Sequence, residues 1–189
     1  LNLQLLTFHQ LALQLCEERH GALFEAQRDL FFEEALRQLI RKRCRGAEAF
    51  VGLEERGGGC ATLWQTLRDL RDGLVDPTVA LDALAEGHFR PASERTSALL
   101  RLLQSFDQFC AEQNVTSESD LTRSATKQVG SSRYLKQFTR IFYYGFYDLT
   151  QIQLDFFHAV ARQFPTTLFF PLLKSNPSHE AWRFAERFY

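Results

Sequence analysis

The sequence predicts a predominantly helical α/β fold, with a short parallel sheet interrupted by a helical insertion. Residues 140–189 alternate strand-like apolar runs with helical patterns, whereas residues 20–132 carry helical patterns alone. Residues 1–19 again show a strand-like run followed by a helix, so they resemble the C-terminal section more than the middle. Strands that alternate with helices are typical of a parallel sheet. We therefore expect an α/β lobe of residues 1–20 and 134–189, and a helical insertion of residues 21–133.

Length and composition allow one domain with a substantial core or two small lobes. The chain has 189 residues, of which 45% are hydrophobic and 24% are charged, as is usual for a globular protein. The net charge of -1 gives no sign of a globally basic nucleic-acid binder, so such a contact would have to come from a local patch. Methionine is absent, and we expect the chain to be a processed protein or a piece of a longer one.

The cysteines and the hydropathy argue against a zinc, redox or membrane class. The cysteines are far apart and form no CxxC pair, so we predict no metal site and no cofactor, and a reducing cytoplasm is the simplest setting. No apolar run approaches the ~20 residues that span a bilayer, and no signal-peptide pattern opens the chain. The histidines are scattered, without an HExxH pair. The cysteines are Cys16, Cys44, Cys60 and Cys110.

The first predicted element is a short strand that is followed at once by a helix. LNLQLLTF (1–8) alternates and then becomes apolar, which indicates a strand, and residues 9–19 take up helical spacing. Because the pattern changes within two residues, we expect a βα turn at residues 7–9.

The clearest helical pattern covers residues 25–45. Its apolar stripe includes Leu36 and Leu39, and its last turn is the basic run RKRCR at 41–45. Cations suit a helix C-terminus because they face the negative end of the helix dipole, and Gly46 is the expected stop. The alternative is that the same cations form a patch that binds the DNA backbone. The patch residues are Arg41, Lys42, Arg43 and Arg45.

Three further helices and a polar connector fill the middle of the chain. ERGGGCAT (55–62) predicts a flexible loop. It lacks lysine and does not lie between a strand and a helix, so it is not a phosphate loop. Residues 114–132 are rich in serine and threonine and predict a connector with a short helix around 117–127. The other helices are expected at about 61–72, 78–86 and 93–113.

The C-terminal section predicts a strand, a helix, a second strand and a final helix. RIFYYGF (140–146) and TTLFFPLL (166–173) are apolar, which is typical of strands buried on both faces of a parallel sheet. We interpret their aromatic residues chiefly as core, with base stacking as the alternative. A helix over 148–164 has two candidate capping boxes, and residues 178–189 predict the last helix. The boxes pair Asp148 with Gln151 and Thr150 with Gln153.

The stretch RIFYYGFYDLTQIQLDFFHAV resembles the Walker B region of superfamily 1 DNA helicases of the UvrD and RecB type. That region has an apolar strand, the sequence Asp-Glu-x-Gln-Asp-Thr and a helix with an early glutamine. The resemblance implies a partial RecA-like helicase lobe in which Tyr144 replaces the metal-binding Asp and Gly145 replaces the catalytic Glu. Tyr144 and Tyr147 would plug the former nucleotide pocket. The remaining positions are Tyr147 for the Gln, the retained Asp148 and the retained helix residue Gln153.

The segment LLTFHQLALQLCEER (5–19) is similar to the Thr-x-His segment of the same helicases, which lies beside single-stranded DNA and precedes a helical insertion of this size. The resemblance implies that Thr7 and His9 contact DNA, since a hydroxyl and an imidazole can bond phosphate oxygens. The alternative is that Thr7 caps the helix and His9 lies on its exposed first turn. Phe8 would either stack on a base or fill core.

Loss of both acids is typical of one group of helicase-like chains, and residues 145–154 resemble the B subunit of AddAB- or RexAB-type helicase-nucleases. The resemblance implies no ATPase activity, because Mg²⁺ binding and activation of the attacking water both need acids at these positions. It implies a non-catalytic DNA channel and scaffold in double-strand break repair, within an ATP-dependent helicase-exonuclease whose partner subunit drives translocation. The alternatives are a helical protein-interaction module without DNA binding and an active NTPase with unusual acids.

Overall fold

The computed structural model describes residues 3–21, 26–88, 94–145 and 149–169, and these ranges contain seven α-helices and two β-strands. They form a predominantly helical structure with one two-stranded parallel sheet, which confirms the predicted fold class. In chain order the elements are α1 Phe8–His20, α2 Asp29–Arg41, α3 Gly59–Asp72, α4 Pro77–Ala85, α5 Glu94–Glu112, α6 Glu118–Gln128, β1 Ile141–Tyr144, α7 Gln151–Ala161 and β2 Thr166–Phe169.

The chain forms two compact units. The helical unit is Glu25–Asp120, and the α/β unit combines Leu1–Phe24 with Leu121–Tyr189. The predicted insertion runs to residue 133, so residues 121–133 fall on the other side of the observed division. The physical reason is that apolar residues recur every four positions along α6 and at the residue after its end, and they belong to the core of the α/β unit. These residues are Leu121, Ala125 and Val129.

Aromatic rings form the centre of the helical unit's core. Phe32 of α2 stacks on Trp64 of α3 with ring centroids 4.4 Å apart, and Phe106 of α5 lies 5.4 Å from Trp64. The Trp64 indole N–H donates to a carboxylate oxygen of Asp29 at 2.8 Å, so the buried ring keeps its polar group satisfied. Three helices therefore meet around one buried indole.

A buried arginine ties α3 to α5 and to Asp120, the last residue of this unit. Arg71 is 6% exposed, and its Nη2 donates to both carboxylate oxygens of Asp120 in α6 at 2.8 Å. Its Nε lies 3.3 Å from an Asp107 carboxylate oxygen on α5, and its guanidinium lies 5.8 Å from the Phe106 ring centroid. Because a buried charge is costly without partners, we expect this ion cluster to stabilise the packing of α3, α5 and Asp120 within the helical unit.

The end of α2 differs from the prediction. The helix ends at Arg41 and not at residue 45, because Arg43 adopts a left-handed backbone conformation with φ 50°. The Cys44 N–H then donates to the Leu39 carbonyl oxygen at 3.0 Å, which closes the helix. Glycine usually occupies this left-handed position, so an arginine there carries a conformational cost.

Gly46 brings the loop after α2 against α5. Its φ is 86°, and a Cβ there would lie 2.4 Å from the Leu102 nitrogen and 2.5 Å from the Ala98 oxygen. Ser105 of α5 donates its hydroxyl to the Arg45 carbonyl oxygen at 3.0 Å. The prediction that Gly46 stops the helix is therefore wrong, since glycine is needed here for close backbone contact.

In the α/β unit, β1, α7 and β2 form a parallel β-α-β unit in which Tyr144 is in register with Phe169. One face of the sheet, the inner face, is covered. The Tyr143 ring is 5% exposed and lies 4.8 Å from Phe157 of α7 and 5.5 Å from Phe8 of α1. Burial raises the pKa of the Tyr143 hydroxyl well above its ordinary value. Helices α1 and α7 therefore pack on the same face of the sheet.

Two strand predictions in this unit are wrong. Residues 3–7 form no strand. Leu3 and Leu5 are exposed, and neither described strand pairs with this segment. β1 is not buried on both faces, because Phe142 and Tyr144 are 55% and 82% exposed. The apolar pattern indicated burial on two faces, whereas the described helices of this unit cover one.

The remaining predictions divide between small shifts and residues outside the described ranges. Residues 55–62 are a loop only in part, because α3 begins at Gly59. Asp148 and Tyr147 lie outside the described residues, as does the helix predicted over 178–189.

Candidate nucleic-acid-binding sites

The end of β1 is the position at which the helicase resemblance predicts a nucleotide site. β1 ends at Tyr144, and Gly145 follows with φ 81°. Neither residue offers a carboxylate that could bind Mg²⁺ or orient a water molecule. The Tyr144 ring is 82% exposed and lies against Phe169, with centroids 6.4 Å apart. The interpretation of Tyr144 as a plug stays a prediction, and that of Tyr147 falls outside the described residues.

The glutamine in the first turn of α7 has a structural role. Thr150 is the N-cap residue, and its N–H donates to Gln153 Oε1 at 3.2 Å, as in the predicted capping box. This bond satisfies a backbone donor that the helix itself leaves unpaired. Gln153 is therefore committed to the helix start.

Thr7 and His9 lie at the start of α1. Thr7 Oγ1 accepts the Gln10 N–H at 3.1 Å, and Gln10 Oε1 accepts the Thr7 N–H at 2.8 Å, so Thr7 makes a complete capping box. The Thr7 hydroxyl accepts in this capping box and can still donate one hydrogen bond, for which a phosphate oxygen is a suitable acceptor. His9 is half-buried, and Phe8 fills core because its ring packs on Tyr143.

The basic run at the end of α2 forms an exposed surface of the helical unit. Gly46 places this loop on the backbone of α5 beside Arg101, whose carbonyl carbon would lie 2.8 Å from a Cβ at Gly46. Arg101 is also exposed, and we include it in this surface. Sequence reasoning missed it because it is distant along the chain; the only signal was the glycine that follows the basic run. The basic patch is Arg41, Lys42, Arg43, Arg45 and Arg101.

A polar pocket of about 230 Å³ lies beside the second half of α1 and was not predicted. Its central group is the Glu18 carboxylate, which accepts the Ser132 hydroxyl at 2.7 Å, the Arg133 N–H at 2.6 Å and the Tyr134 N–H at 3.3 Å. Burial alone would raise the pKa of Glu18, but these hydrogen bonds together lower it below its ordinary value. Because the Glu18 carboxylate already accepts these three hydrogen bonds, its main role is to hold residues 132–134 in place.

Metal and membrane sites are not found in the described part of the chain. No group of three or more His, Cys, Asp or Glu side chains there could hold a metal ion. None of the described helices is long and apolar enough to cross a membrane. The four cysteines are free, and burial raises the pKa of Cys110 to about 11, so this thiol stays protonated and unreactive at neutral pH.

No protein-family model and no curated protein sequence matches the chain. The helicase resemblance therefore stays a prediction. Of the candidate DNA contacts, Thr7 and His9 lie in the α/β unit, and the basic patch lies in the helical unit.

Proposed function

We propose that this chain is a non-catalytic, helicase-like part of a DNA end-processing helicase-nuclease subunit, and that it serves as DNA channel and scaffold in double-strand break repair. The observation that carries this proposal is the β-α-β unit whose first strand ends at Tyr144-Gly145. This is where the resemblance expects two catalytic acids. A retained strand and capped helix without those acids suit a scaffold.

The absence of acids at Tyr144 and Gly145 supports a non-catalytic role. Phosphoryl transfer to water depends on a bound metal ion and on a positioned nucleophile. Single groups of this kind are commonly worth ~3 kcal/mol or more of transition-state stabilisation. We therefore expect no ATP turnover by this sheet edge. Steady turnover that survives purification and falls with Asp148→Asn would contradict the proposal.

The basic patch is the main candidate DNA contact. Its five cations are exposed, and arginine binds phosphate through paired N–H groups. Arg43 adds a separate argument, because it occupies a left-handed position that glycine would fill at lower cost. A residue kept in an unfavourable backbone conformation is a reason to suspect a function.

The test is the salt dependence of oligonucleotide binding by the whole chain. Fluorescence anisotropy with labelled single-stranded and duplex DNA should give affinities that fall steeply with salt, since phosphate contacts release counterions. Arg41→Glu/Arg43→Glu should weaken binding at least tenfold. The matched control is Arg56→Glu/Arg95→Glu, which makes the same charge change at exposed positions outside the patch. An absence of binding at low salt, or equal losses in both variants, would contradict a DNA role.

The alternative proposal is a helical protein-interaction module. The observation that favours it is a set of exposed apolar side chains on the helical unit, because exposed apolar surface often marks a protein contact. Under this alternative the chain would bind a partner subunit and would not bind DNA at any salt concentration. The exposed side chains are Leu30, Val51 and Val79.

A further inference from the structure

The charged residues are divided unevenly between the two units. Among the described residues, the α/β unit has seven Lys and Arg against three Asp and Glu, whereas the helical unit has eleven against sixteen. Residues 121–145 contain five of the seven cations and no acid. The net charge of -1 for the whole chain hides this difference. An excess of cations in one part of a chain favours contact with an anionic partner there.

Four exposed cations of the α/β unit lie along α6 and at the polar pocket beside α1. Arg123 and Lys127 are four residues apart on one side of α6, and Ser131, four residues further, lines the pocket. Arg19 and Arg133 line the same pocket. The exposed side of α6 therefore leads to two arginines. We call Arg19, Arg123, Lys127 and Arg133 the α6 surface.

Little negative charge opposes the α6 surface. The acid in the pocket is Glu18, whose side chain is 17% exposed and whose charge is met by its three hydrogen bonds and by Arg133 Nε at 3.5 Å. Glu17, its neighbour in α1, does not line the pocket. The other three cations of the α6 surface form no ion pair with any described residue. Their charge is therefore available to a ligand.

A buried amide in the pocket adds a second, uncharged requirement. Gln128 lines the pocket and is 3% exposed, and its Nε2 donates to the Ser124 hydroxyl oxygen at 3.0 Å. Its Oε1 accepts no hydrogen bond from the described residues. A buried acceptor is costly unless a donor reaches it. The pocket, at about 230 Å³, admits a group several times the size of a water molecule.

We propose that the α6 surface binds single-stranded nucleic acid, with phosphates on its four cations and the base of one nucleotide in the pocket at Gln128. A nucleotide carries both groups that the site requires. Its phosphate oxygens accept from guanidinium and ammonium groups, and every unpaired base has an N–H that can donate to the Gln128 oxygen. In a duplex those N–H groups are paired and the bases stay stacked, so a single strand suits the pocket better.

This inference rests on the proposed function for the class of its ligand, but it adds a contact in the α/β unit that is separate from the basic patch. It claims no preference for a base sequence, because each of the four bases offers a donor when unpaired. The basic patch and the α6 surface carry similar numbers of cations, so charge reversal at each can be compared directly.

Charge reversal in the whole chain tests the α6 surface. With a labelled single-stranded oligonucleotide, Arg123→Glu/Lys127→Glu should weaken binding at least tenfold and reduce the slope of log affinity against log salt by about 1.4 or more, since two phosphate contacts are lost. The matched control is Arg140→Glu/Arg162→Glu, which makes the same charge change at exposed positions of the same unit outside the α6 surface. Its loss should be less than about threefold.

The outcomes separate this inference from the proposed function. If the unaltered chain binds the strand and both double variants lose affinity equally, the α6 surface is overturned and a DNA role for the chain is not. If only the Arg41→Glu/Arg43→Glu variant loses affinity, the α6 surface is overturned as well. A chain without any binding at low salt defeats the proposed function and this inference together. An affinity for duplex equal to that for the single strand would overturn the choice of ligand.

A second measurement tests the pocket without a change of charge. Gln128→Leu should weaken binding of the single strand several-fold and leave the salt slope unchanged, while an abasic strand of the same length should bind both proteins equally. Ser124→Ala is the control, because it removes the same side-chain hydrogen bond but keeps the Gln128 oxygen. Far-UV circular dichroism checks that both variants fold. Equal losses in the two variants, or no loss in Gln128→Leu, would overturn the role of the pocket.

Discussion

The two units use their aromatic residues in opposite ways. In the helical unit Phe32, Trp64 and Phe106 surround one another and are at most 2% exposed. In the α/β unit Tyr143 is buried on one face of the sheet, while its neighbour Phe142 on the other face is 55% exposed. Phenylalanine is thus core in the helical unit and surface at this position of the α/β unit. The difference teaches that apolar composition predicts burial only where the covering layer is present.

Phe156→Ala should give the largest loss of stability, because it removes one buried ring and leaves a cavity in the core of the α/β unit. Its ring is fully buried and lies 6.1 Å from Phe8. Truncation of a buried phenylalanine costs about 3–5 kcal/mol of unfolding free energy. Urea denaturation monitored by circular dichroism should show this loss. Leu5→Ala is the control at an 86% exposed position and should change stability by about 0.5 kcal/mol or less.

Gly46→Ala should cost about 3 kcal/mol in the helical unit. The left-handed φ contributes about 1 kcal/mol, and the close approach to α5 adds an overpacking cost of similar size or larger. Gly52→Ala is a matched control, because its φ is 85° but nothing lies within 4 Å of a Cβ there. The difference in denaturation midpoint between the two variants measures the close contact alone. Equal denaturation midpoints for the two variants would show that Gly46 makes no close backbone contact with α5.

Arg71→Ala should cost about 2–3 kcal/mol, because it leaves Asp120 and Asp107 without their buried counter-charge. The exposed pair of Arg68 and Asp29, with Nη1 and Oδ2 3.4 Å apart, provides the control. Arg68→Ala should cost less than about 1 kcal/mol, since surface ion pairs are weak. Thermal unfolding of both variants tests whether the helical unit depends on its ion cluster. A smaller loss of stability for Arg71→Ala than for Arg68→Ala would show that the helical unit does not depend on this ion cluster.

Glu18→Gln should cost about 1 kcal/mol at neutral pH, through hydrogen bonds that weaken when the acceptor loses its charge. The folded pKa of Glu18 lies below its ordinary value of 4.5. The carboxylate therefore contributes stability above pH 4.5, and this contribution is lost as the pH falls through the folded pKa. The variant should flatten the acid limb of the stability curve of the α/β unit. Glu17→Gln, which alters the neighbouring carboxylate, is the control and should change stability at neutral pH by about 0.5 kcal/mol or less.

Arg43→Gly should have the smallest effect on stability and the opposite sign. Relief of the left-handed backbone strain should stabilise the helical unit by up to about 1 kcal/mol. If the basic patch contacts phosphates, the same change should weaken DNA binding and reduce the slope of log affinity against log salt by about 0.7–0.9. A stabilised variant with unchanged DNA affinity would leave Arg43 without a role in binding.

The helices could be predicted from the sequence because their signals are local. The apolar stripe around Leu36, the cap at Asp76 before Pro77 and the capping box at Thr150 each lie within one or two turns. The strand predicted at residues 1–8 failed because a strand needs a neighbour, and no local pattern reports whether one exists. Here Thr7 is the N-cap residue of α1, so the segment leads into a helix without forming a strand first.

The candidate sites were predictable only in part. The cations at 41–45 stand together in the sequence, and their exposure follows from their charge. Arg101 could not be found, because it joins them through a backbone contact at Gly46 that no spacing rule describes. Likewise, Glu18 and the turn at 132–134 meet only in the folded chain, since they are more than 100 residues apart.

The left-handed conformation of Gly145 limits which residues this position accepts. Its φ of 81° is one that a glutamate would adopt only with strain of about 1–2 kcal/mol. Under the proposed function, a glutamate introduced here would bring that penalty at once, and it would bring no reaction, since Tyr144 offers no carboxylate for a metal ion. If the chain descends from an active helicase, the backbone at Gly145 would therefore oppose a return to catalysis by single substitutions.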